Sequence, residues 1–542
     1  MSDPHVLVVG AGPVGLVLAI ELGQLGVRTL VVEKRPEAGR LPKMERCNAR
    51  TMENFRRLGI AGEIRAAGLP SYIPMDVFIC VGDLTRKPLV HHHYPSVDEA
   101  RAQVRDSHDG SLPLEPYQLI SQYTIEPLLR SIAERTDGVE VLFGHELIGF
   151  EQDADVVRAR VQDPAGDVQV ISTDYLVGAD GGGSTVRQQL GIELRGDSLL
   201  TLRQALFQCD ELFERIPIGK GRHYHFADDK STFLIVQDDT KHFSLHAIVD
   251  RDEDMPRLFE SIVGFPVSYE TQYIGSWTQR LMVADRYGQG RVLIAGDAAH
   301  LVIPTGGLGM NTGAGDAADL AWKLAGTLQG WGGPALLDSY EAERRQTAVR
   351  AVAASRKAST GRRRWRSEWS PEITEDTPAG QRARDRLARV ADHEQRWSND
   401  LLGIELGYRY TASPVIVSEP GNGPDLDSFT YEPTTWPGAR LPHIWLDDGT
   451  PIQDHLGRAY TLLHRPDSPP PGALGELFAG RGAPYETFEV RSPDARQVYG
   501  DYRYILVRPD LHIVWRGQAV DDPAGLASLA TGHGSGVTRD GK

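Results

Sequence analysis

The sequence predicts an α/β protein of several domains built around a parallel sheet, and three stretches carry that prediction. The opening run, HVLVVGAGPVGLVLAIELGQLGVRTLVVEK at 5–34, reads strand, glycine turn, helix, strand. VLVV is apolar without alternation, as in a parallel strand buried on both faces. Residues 139–178 then break into short strands, VEVLFG, ELIGFEQD, VVRARVQD and TDYLVGAD, separated by turn residues. The third stretch, VLIAGDAAHLVIPTGGLGMNTG at 292–313, repeats the strand, tight turn, glycine-rich loop and helix start of the opening.

Between these, ARTMENFRRLGI (49–60) and SQYTIEPLLRSIAERT (121–136) read as amphipathic helices, and 70–118 as loop-rich, with HHHYPSVDEARAQVRDSHDG at its centre. GRHYHFA, STFLIVQD and HFSLHAIVD read as alternating strands. Two helices follow the second glycine loop, and 355–400 is charged and helical, with RRRWR (362–366) expected on a solvated helix face. Residues 412–442, rich in Pro, Gly, Ser and Asp, suggest a linker before a small α/β domain.

With 542 residues the chain has ample length for two or three domains with full cores. A net charge of −16 argues against nucleic acid or an anionic membrane as partner. The three cysteines, Cys47, Cys80 and Cys209, form no CxxC, which excludes a disulfide framework or cysteine zinc site and fits a reducing cytoplasm. No signal peptide or membrane span is expected: the apolar run Val6 to Ile20 lacks a basic leader and is broken by Gly and Pro. Adjacent residues His91, His92 and His93 are not expected to converge on one ion, so no metal is predicted.

Gly10-Ala11-Gly12-Pro13-Val14-Gly15 is a GxGxxG between a buried strand and a helix, a Rossmann-like fingerprint. Gly10 permits the turn, Gly12 admits a pyrophosphate, and Gly15 lets helix and sheet approach closely. Glu33 closes the second strand eighteen residues beyond Gly15, where a ribose-binding carboxylate belongs. It would repel a 2′-phosphate, so this site suits the ADP half of FAD or NAD rather than NADPH. Asp297, on the turn after VLIAG, can bond a second polyol, and the loop Gly306 to Asn311 opens a helix whose N–H groups can face an electron-rich ring edge. FAD has a ribityl chain between pyrophosphate and ring, so one extended FAD could touch both loops.

On GAGPVG with Glu33, VGADGGGSTVRQQLG (177–191) and LIAGDAAHLVIPTGGLGMNTG, the chain resembles the single-component FAD-dependent aromatic hydroxylases. The likeness is greatest to the phenol, dichlorophenol and polyketide hydroxylases with a C-terminal thioredoxin-like domain. The resemblance implies a Rossmann-like FAD-binding domain (1–75, 112–180, 286–400) of the glutathione-reductase-like, para-hydroxybenzoate-hydroxylase fold. It also implies a mixed-sheet substrate domain (76–111, 181–285), a linker (401–435) and a thioredoxin-like domain (436–542) with a structural role, near a subunit contact in a homodimer. Asp297 would bind the ribityl, and Gly309, Met310 and Asn311 the ring. Asp180 and Arg187 would touch FAD and NAD(P)H, Gln122 would pack by the flavin, and either Lys43 or Arg46 would approach the pyrophosphate.

The implied reaction uses NAD(P)H and O₂: a flavin C4a-hydroperoxide passes hydroxyl to a small electron-rich aromatic substrate. The backbone carbonyl of Pro304 would orient the oxygen. Because a phenol reacts more readily as its phenolate, a nearby base would help. Strand alternation puts His223 and His225 on one face and Tyr224 on the other, and either face could line the ring. His225, Tyr224 and His246 are therefore candidates. Three alternatives remain: a flavin halogenase, whose WxWxIP signature is absent; an FAD oxidoreductase without hydroxylation; and a non-catalytic flavin-binding protein.

Overall fold

The computed structural model describes residues 3–39 and 44–534. The strands without alternation form its first sheet. Across it lie Gly288–Gln289, Val292–Ile294, Tyr175–Gly178, Val6–Val9, Thr29–Glu33 and Val139–Phe143. All neighbours are parallel except the first pair. Val9 pairs with Val32 on one side and Gly178 on the other, so Gly10, Glu33 and Ala179 meet at one carboxyl edge, where open α/β sheets bind ligands. Helices Pro13–Gln24 and Gly309–Leu328 pack against each other beside this sheet.

An eight-stranded sheet runs His300–Leu301, Glu270–Ala284, Leu194–Gln208, His242–Ala247, Phe233–Val236, His223–Phe226, Val77–Cys80 and Val90–His92. Only His223–Phe226 with Val77–Cys80 is parallel. Phe207, Tyr224 and Phe259 belong to one buried cluster under helix Asp254–Val263. Between Ile294 in the first sheet and His300 in the second, the chain turns through Gly296–Ala298. The Asp297 turn therefore crosses from one sheet to the other.

Near the C-terminus a four-stranded sheet has the order Tyr485–Glu489, Tyr460–His464, Tyr504–Val507, Ile513–Gly517. Its first pair is parallel and the others antiparallel. Helices Gly472–Gly480, Ala495–Tyr499 and Pro523–Ala530 accompany it, with separate apolar clusters containing Leu462 and Leu463, neighbours whose side chains alternate across the sheet.

Three expectations change. The supposed loop at 70–118 contains strands Val77–Cys80 and Val90–His92 and the helix Val97–Asp106. That helix starts on a reciprocal Ser96–Glu99 capping box, a signal legible in SVDE. RRRWR is only half solvated: Arg363 and Arg364 are exposed, whereas Arg362 and Trp365 face inward. The 401–435 segment is no free spacer, because Leu401 and Ile404 pack on Leu308 and Ala351 against the second glycine loop.

Burial sets a pH dependence. Desolvation lowers the pKa of His246 to about 3 and of His443 and His512 to about 4, and lowers His92, His223 and His225 as well. The unfolded chain takes up these protons near pH 6.5, while the folded protein refuses them until well below. Stability is thus full above pH 6.5 and is lost as pH falls toward 4. His242, raised by its hydrogen bond to Asp239, and the carboxyls of Asp319, Asp180, Glu21 and Glu405, raised by burial, oppose this. Calorimetry of the purified protein should show Tm dropping by several degrees between pH 7 and 5. A flat or rising Tm over that window would contradict the burial of these rings as neutral groups.

Candidate functional site

The first glycine loop is closed on two sides and open on one. Gly10 has φ +106°, and a Cβ there would lie 2.4 Å from Ala179 O; one on Gly15 would lie 2.0 Å from Gly10 O; one on Gly12 would meet nothing within 4 Å. Beside this opening, Glu33 Oε2 accepts from Ala11 N (2.9 Å), and Oε1 accepts from Arg35 N and Nε (3.0 and 2.8 Å). Burial pushes the Glu33 carboxyl up, but the bonds from Arg35 and Ala11 outweigh it and hold the group ionised, below its usual range. Arg35 also lies 3.9 Å from Glu126, which accepts from Gly39 N and from Gln122 Nε2 (2.5 Å). Gln122 and Glu33 are thus joined through Glu126 and Arg35. The sequence reading missed Arg35, although it stands only two residues past Glu33.

The two loops touch. A Cβ on Gly296 or Gly313 would meet Val14 Cγ2 at 3.0 or 2.6 Å, so the Asp297 turn and the helix from Gly309 both abut the Pro13–Val14 turn. Asp297 is exposed while residues 292–296 and 298–300 are buried around it. Asp316 holds this turn from below, accepting from Gly296 N (3.0 Å), His300 Nε2 (2.7 Å) and Arg344 Nε (2.8 Å). Asp180 Oδ2 accepts from Val186 N (3.1 Å), while its buried Oδ1 has no partner, and burial raises its pKa. Arg187 donates to Ala298 O (3.2 Å) and Gly182 O (2.9 Å), tying the 180–187 turn to the Asp297 turn.

At the second loop, Pro304 O accepts from Gly307 N (2.8 Å), leaving its second lone pair. Asn311 is fixed on three sides: its Oδ1 accepts from Asn48 N (2.8 Å), and its Nδ2 donates to Arg46 O and Gly307 O (3.1 and 2.6 Å). Gly309, Met310 and Asn311 form the first helical turn, whose N–H groups have no earlier helical carbonyl to bond. Arg46 donates to Gly306 O and lies 3.6 Å from Glu405, which places it against this loop. Lys43 lies outside the described residues.

Facing the loop is a buried patch drawn from distant segments. His223 Nε2 meets Glu45 Oε2 at 2.6 Å, and His225 Nε2 lies 3.1 Å from Gln395 Nε2. His246 stacks on Phe233, with ring centroids 4.6 Å apart, and accepts from Trp277 Nε1 (3.2 Å). Arg222 Nη2 donates to Asn399 Oδ1 (2.5 Å), its guanidinium beside the rings of Tyr94 and Tyr117. Tyr224 must be withdrawn as a candidate. It faces the opposite side of the sheet, stacked on Phe78, its hydroxyl donating to Gly219 O (2.9 Å) and accepting from Gly221 N (3.0 Å).

The triple histidine is also corrected in its geometry. His91 and His92 end an edge strand rather than lying in a loop, and His93 follows it on the same side as His91. Both approach Asp76 Oδ2, at 2.6 and 3.3 Å, while His92 turns inward. Asp76, His91 and His93 form the only metal-compatible cluster among the described residues, so two of the three histidines do converge, contrary to expectation.

The residues present suit an extended flavin nucleotide. An uncrowded Gly12, an ionised Glu33, an unpartnered Asp180 oxygen and an exposed Asp297 lie along one edge that ends at the 304–311 loop.

Comparison with known proteins agrees. Residues 3–355 match the FAD binding domain family, and residues 434–532 match the aromatic-ring hydroxylase C-terminal domain. The FAD-dependent monooxygenase apdD of Emericella nidulans is 32% identical, across 96% of this chain and 88% of that protein. The rebeccamycin biosynthetic enzyme RebC with reduced flavin superposes with a TM-score of 0.88 at 32% identity, covering 98% of this chain and 99% of the other. Aklavinone-11 hydroxylase with FAD and aklavinone gives 0.80 at 29% identity, covering 98% and 100%.

Proposed function

The chain belongs to the FAD-dependent aromatic-ring hydroxylases, and from that premise we propose that it hydroxylates a flat, fused-ring phenol at the patch between Arg46 and His246. The membership makes it a flavoprotein monooxygenase that uses NAD(P)H and O₂ on an aromatic substrate. When bound, the flavin supplies the oxygen-activating redox chemistry; the protein binds, orients and excludes water.

On this reading the N–H groups of the Gly10–Gly15 turn hold the pyrophosphate, with Pro13 and Val14 shaping it, and Glu33 holds the ribose. Asp297 bonds the ribityl, while Gly309, Met310 and Asn311 frame the ring. Asp180 lies beside the path, and Arg187 positions the Asp297 turn. Gln122 and Arg46 brace the two loops, and the free lone pair of Pro304 O faces the reacting oxygen. His225, buried on the same face as His223, lines the substrate side. The observation that carries this is the contact of Val14 with both Gly296 and Gly313, which joins two remote nucleotide-binding turns into one site.

A fused-ring substrate is supported by the aklavinone bound to the aklavinone-11 hydroxylase relative. No helix among the described residues is long and apolar enough to cross a membrane; with three unpaired cysteines this supports a cytoplasmic setting. The βαβ–α–ββα order at 460–530 supports the thioredoxin-like reading of the C-terminal domain, a structural unit without cysteine that would serve a homodimer.

The test is direct. The purified protein should be yellow, and a hydroxyanthraquinone or phenol panel should stimulate NAD(P)H oxidation in air and yield a product one oxygen heavier by mass spectrometry. A colourless protein that refuses added FAD would end this reading.

A further inference from the structure

Five buried polar atoms without partners gather where the patch meets the flavin loop. They are Nε and Nη1 of Arg222, Nε of Arg46, Nδ1 of His223 and the Tyr117 hydroxyl. Arg222 is 2% exposed and Arg46 3%. Burying a guanidinium with unmade hydrogen bonds is costly, so such donors imply an acceptor that arrives with a ligand. Charge says the same. The guanidiniums of Arg46, Arg222 and Arg362 outnumber the carboxylates Glu45 and Glu405 among the groups acting on one another here. An anionic oxygen would complete the set.

His223 stands beside this demand as a base. Burial pushes the Glu45 carboxyl up, but His223, Arg222 and Arg46 override it and hold it at about 2. Glu45 is therefore ionised, and its 2.6 Å contact assigns the imidazole proton to Nε2. The lone pair is left on Nδ1. Burial, with Arg222 and Arg362, keeps His223 below its ordinary range despite Glu45, so the ring is neutral and receptive at pH 7. The charged and titratable groups around it are Glu45 and Arg46 from the strand Arg46–Cys47 and its approach, Arg222 just before its own strand and His225 on it, His246 from the sheet and Arg362 from the long helix Pro334–Arg366.

We propose that this patch takes an ionisable aromatic hydroxyl, His223 Nδ1 accepting its proton while Arg222 holds the oxyanion. The substrate O–H bond breaks and an Nδ1–H bond forms. The electron pair stays on oxygen, and the imidazolium is stabilised through Nε2–H by Glu45. The phenolate ring, richer in electrons than the phenol, is the better acceptor of an electrophilic oxygen. This assignment rests on the flavoenzyme reading and names its substrate class: an aromatic with a free acidic hydroxyl, not its ether.

The holoenzyme tests it with 2-hydroxyanthraquinone as probe and its methyl ether as the non-ionisable control, followed by difference absorbance. The bound probe should ionise at least about one pH unit below its value in water. The ether should bind at least about tenfold more weakly than the probe. His223→Gln should return the bound probe's midpoint toward the water value without changing affinity for the ether. Glu45→Gln should do so in part. Arg222→Met should weaken the ionised probe about tenfold and leave the ether unchanged. The visible flavin band separates the two ideas: a colourless protein defeats the flavoenzyme reading. A yellow protein that binds neither compound, or whose probe ionises as in water, overturns this assignment alone. So does a yellow His223→Gln variant with the midpoint unmoved.

Discussion

A Gly12→Ala variant should fold as the parent does and emerge from purification colourless. The added Cβ meets no atom within 4 Å, so the folded chain has room for it. On the proposed reading, that room is where the pyrophosphate passes close to the backbone. Affinity for FAD should fall at least about 100-fold, roughly 2.7 kcal/mol, while Tm stays near the parent's. Gly10→Ala and Gly15→Ala should behave differently. Their methyls would sit 2.4 and 2.0 Å from backbone oxygens of Ala179 and Gly10, and Gly10 also carries φ +106°. Backbone cannot swing aside as a side chain can, so these variants should lose about 2–4 kcal/mol of stability as well as flavin. FAD titration and thermal unfolding of the three variants distinguish a ligand-facing glycine from two structural ones. Parental FAD affinity in Gly12→Ala would show that the pyrophosphate runs elsewhere.

The nucleotide-binding half was legible because its constraints are local. A strand buried on both faces, a turn that tolerates no Cβ and a carboxylate at the next strand's end each write a pattern a few residues long. The substrate side was not, because its contacts are remote. His223 finds Glu45 across 178 positions, and Arg46 finds Gly306 across 260. Strand alternation correctly separated His223 and His225 from Tyr224 but gave no ground for preferring either face. Both faces of this sheet are covered, one by the Phe207–Phe259 cluster and the other by the loop and the long helix, so neither reads as solvent. The polar composition of 88–108 masked a strand and a helix for a related reason. His91 and His93 point outward at a sheet edge, and the helix buries only Val97 and Val104, so neither element needs an apolar stripe.

Arg508→Met should be the most damaging single substitution outside the flavin loops. Arg508, in the turn after the strand Tyr504–Val507, is fully buried between the C-terminal domain and two helices of the flavin-binding part. Its Nη1 and Nη2 donate to the two oxygens of Glu343 at 2.7 Å each, Nη2 also to Asp319 (2.9 Å), and Nε to Asp510 (2.7 Å). Lys323 is the other buried cation, 2.7 Å from both Asp319 and Glu343. Removing the guanidinium leaves one lysine among three carboxylates with no water to screen them, which costs about 3–5 kcal/mol. Asp319 and Lys323 lie on the helix that begins at Gly309, so the loss also loosens the C-terminal domain's hold on the element proposed to frame the ring. The pH dependence is diagnostic. Burial and the Glu343 charge already raise the Asp319 pKa against the pull of Lys323 and Arg508, and without Arg508 it must rise further. A protonated Asp319 no longer needs a counter-charge, and in the parent the group is already protonated below about pH 8, so the variant's deficit should be largest near pH 9.5 and shrink toward pH 7. Paired calorimetry of parent and Arg508→Met at the two pH values reads this directly, with Arg508→Lys as the partial rescue. Equal deficits at both values would mean that lost packing against Trp322 and Tyr410, rather than unpaired charge, sets the cost.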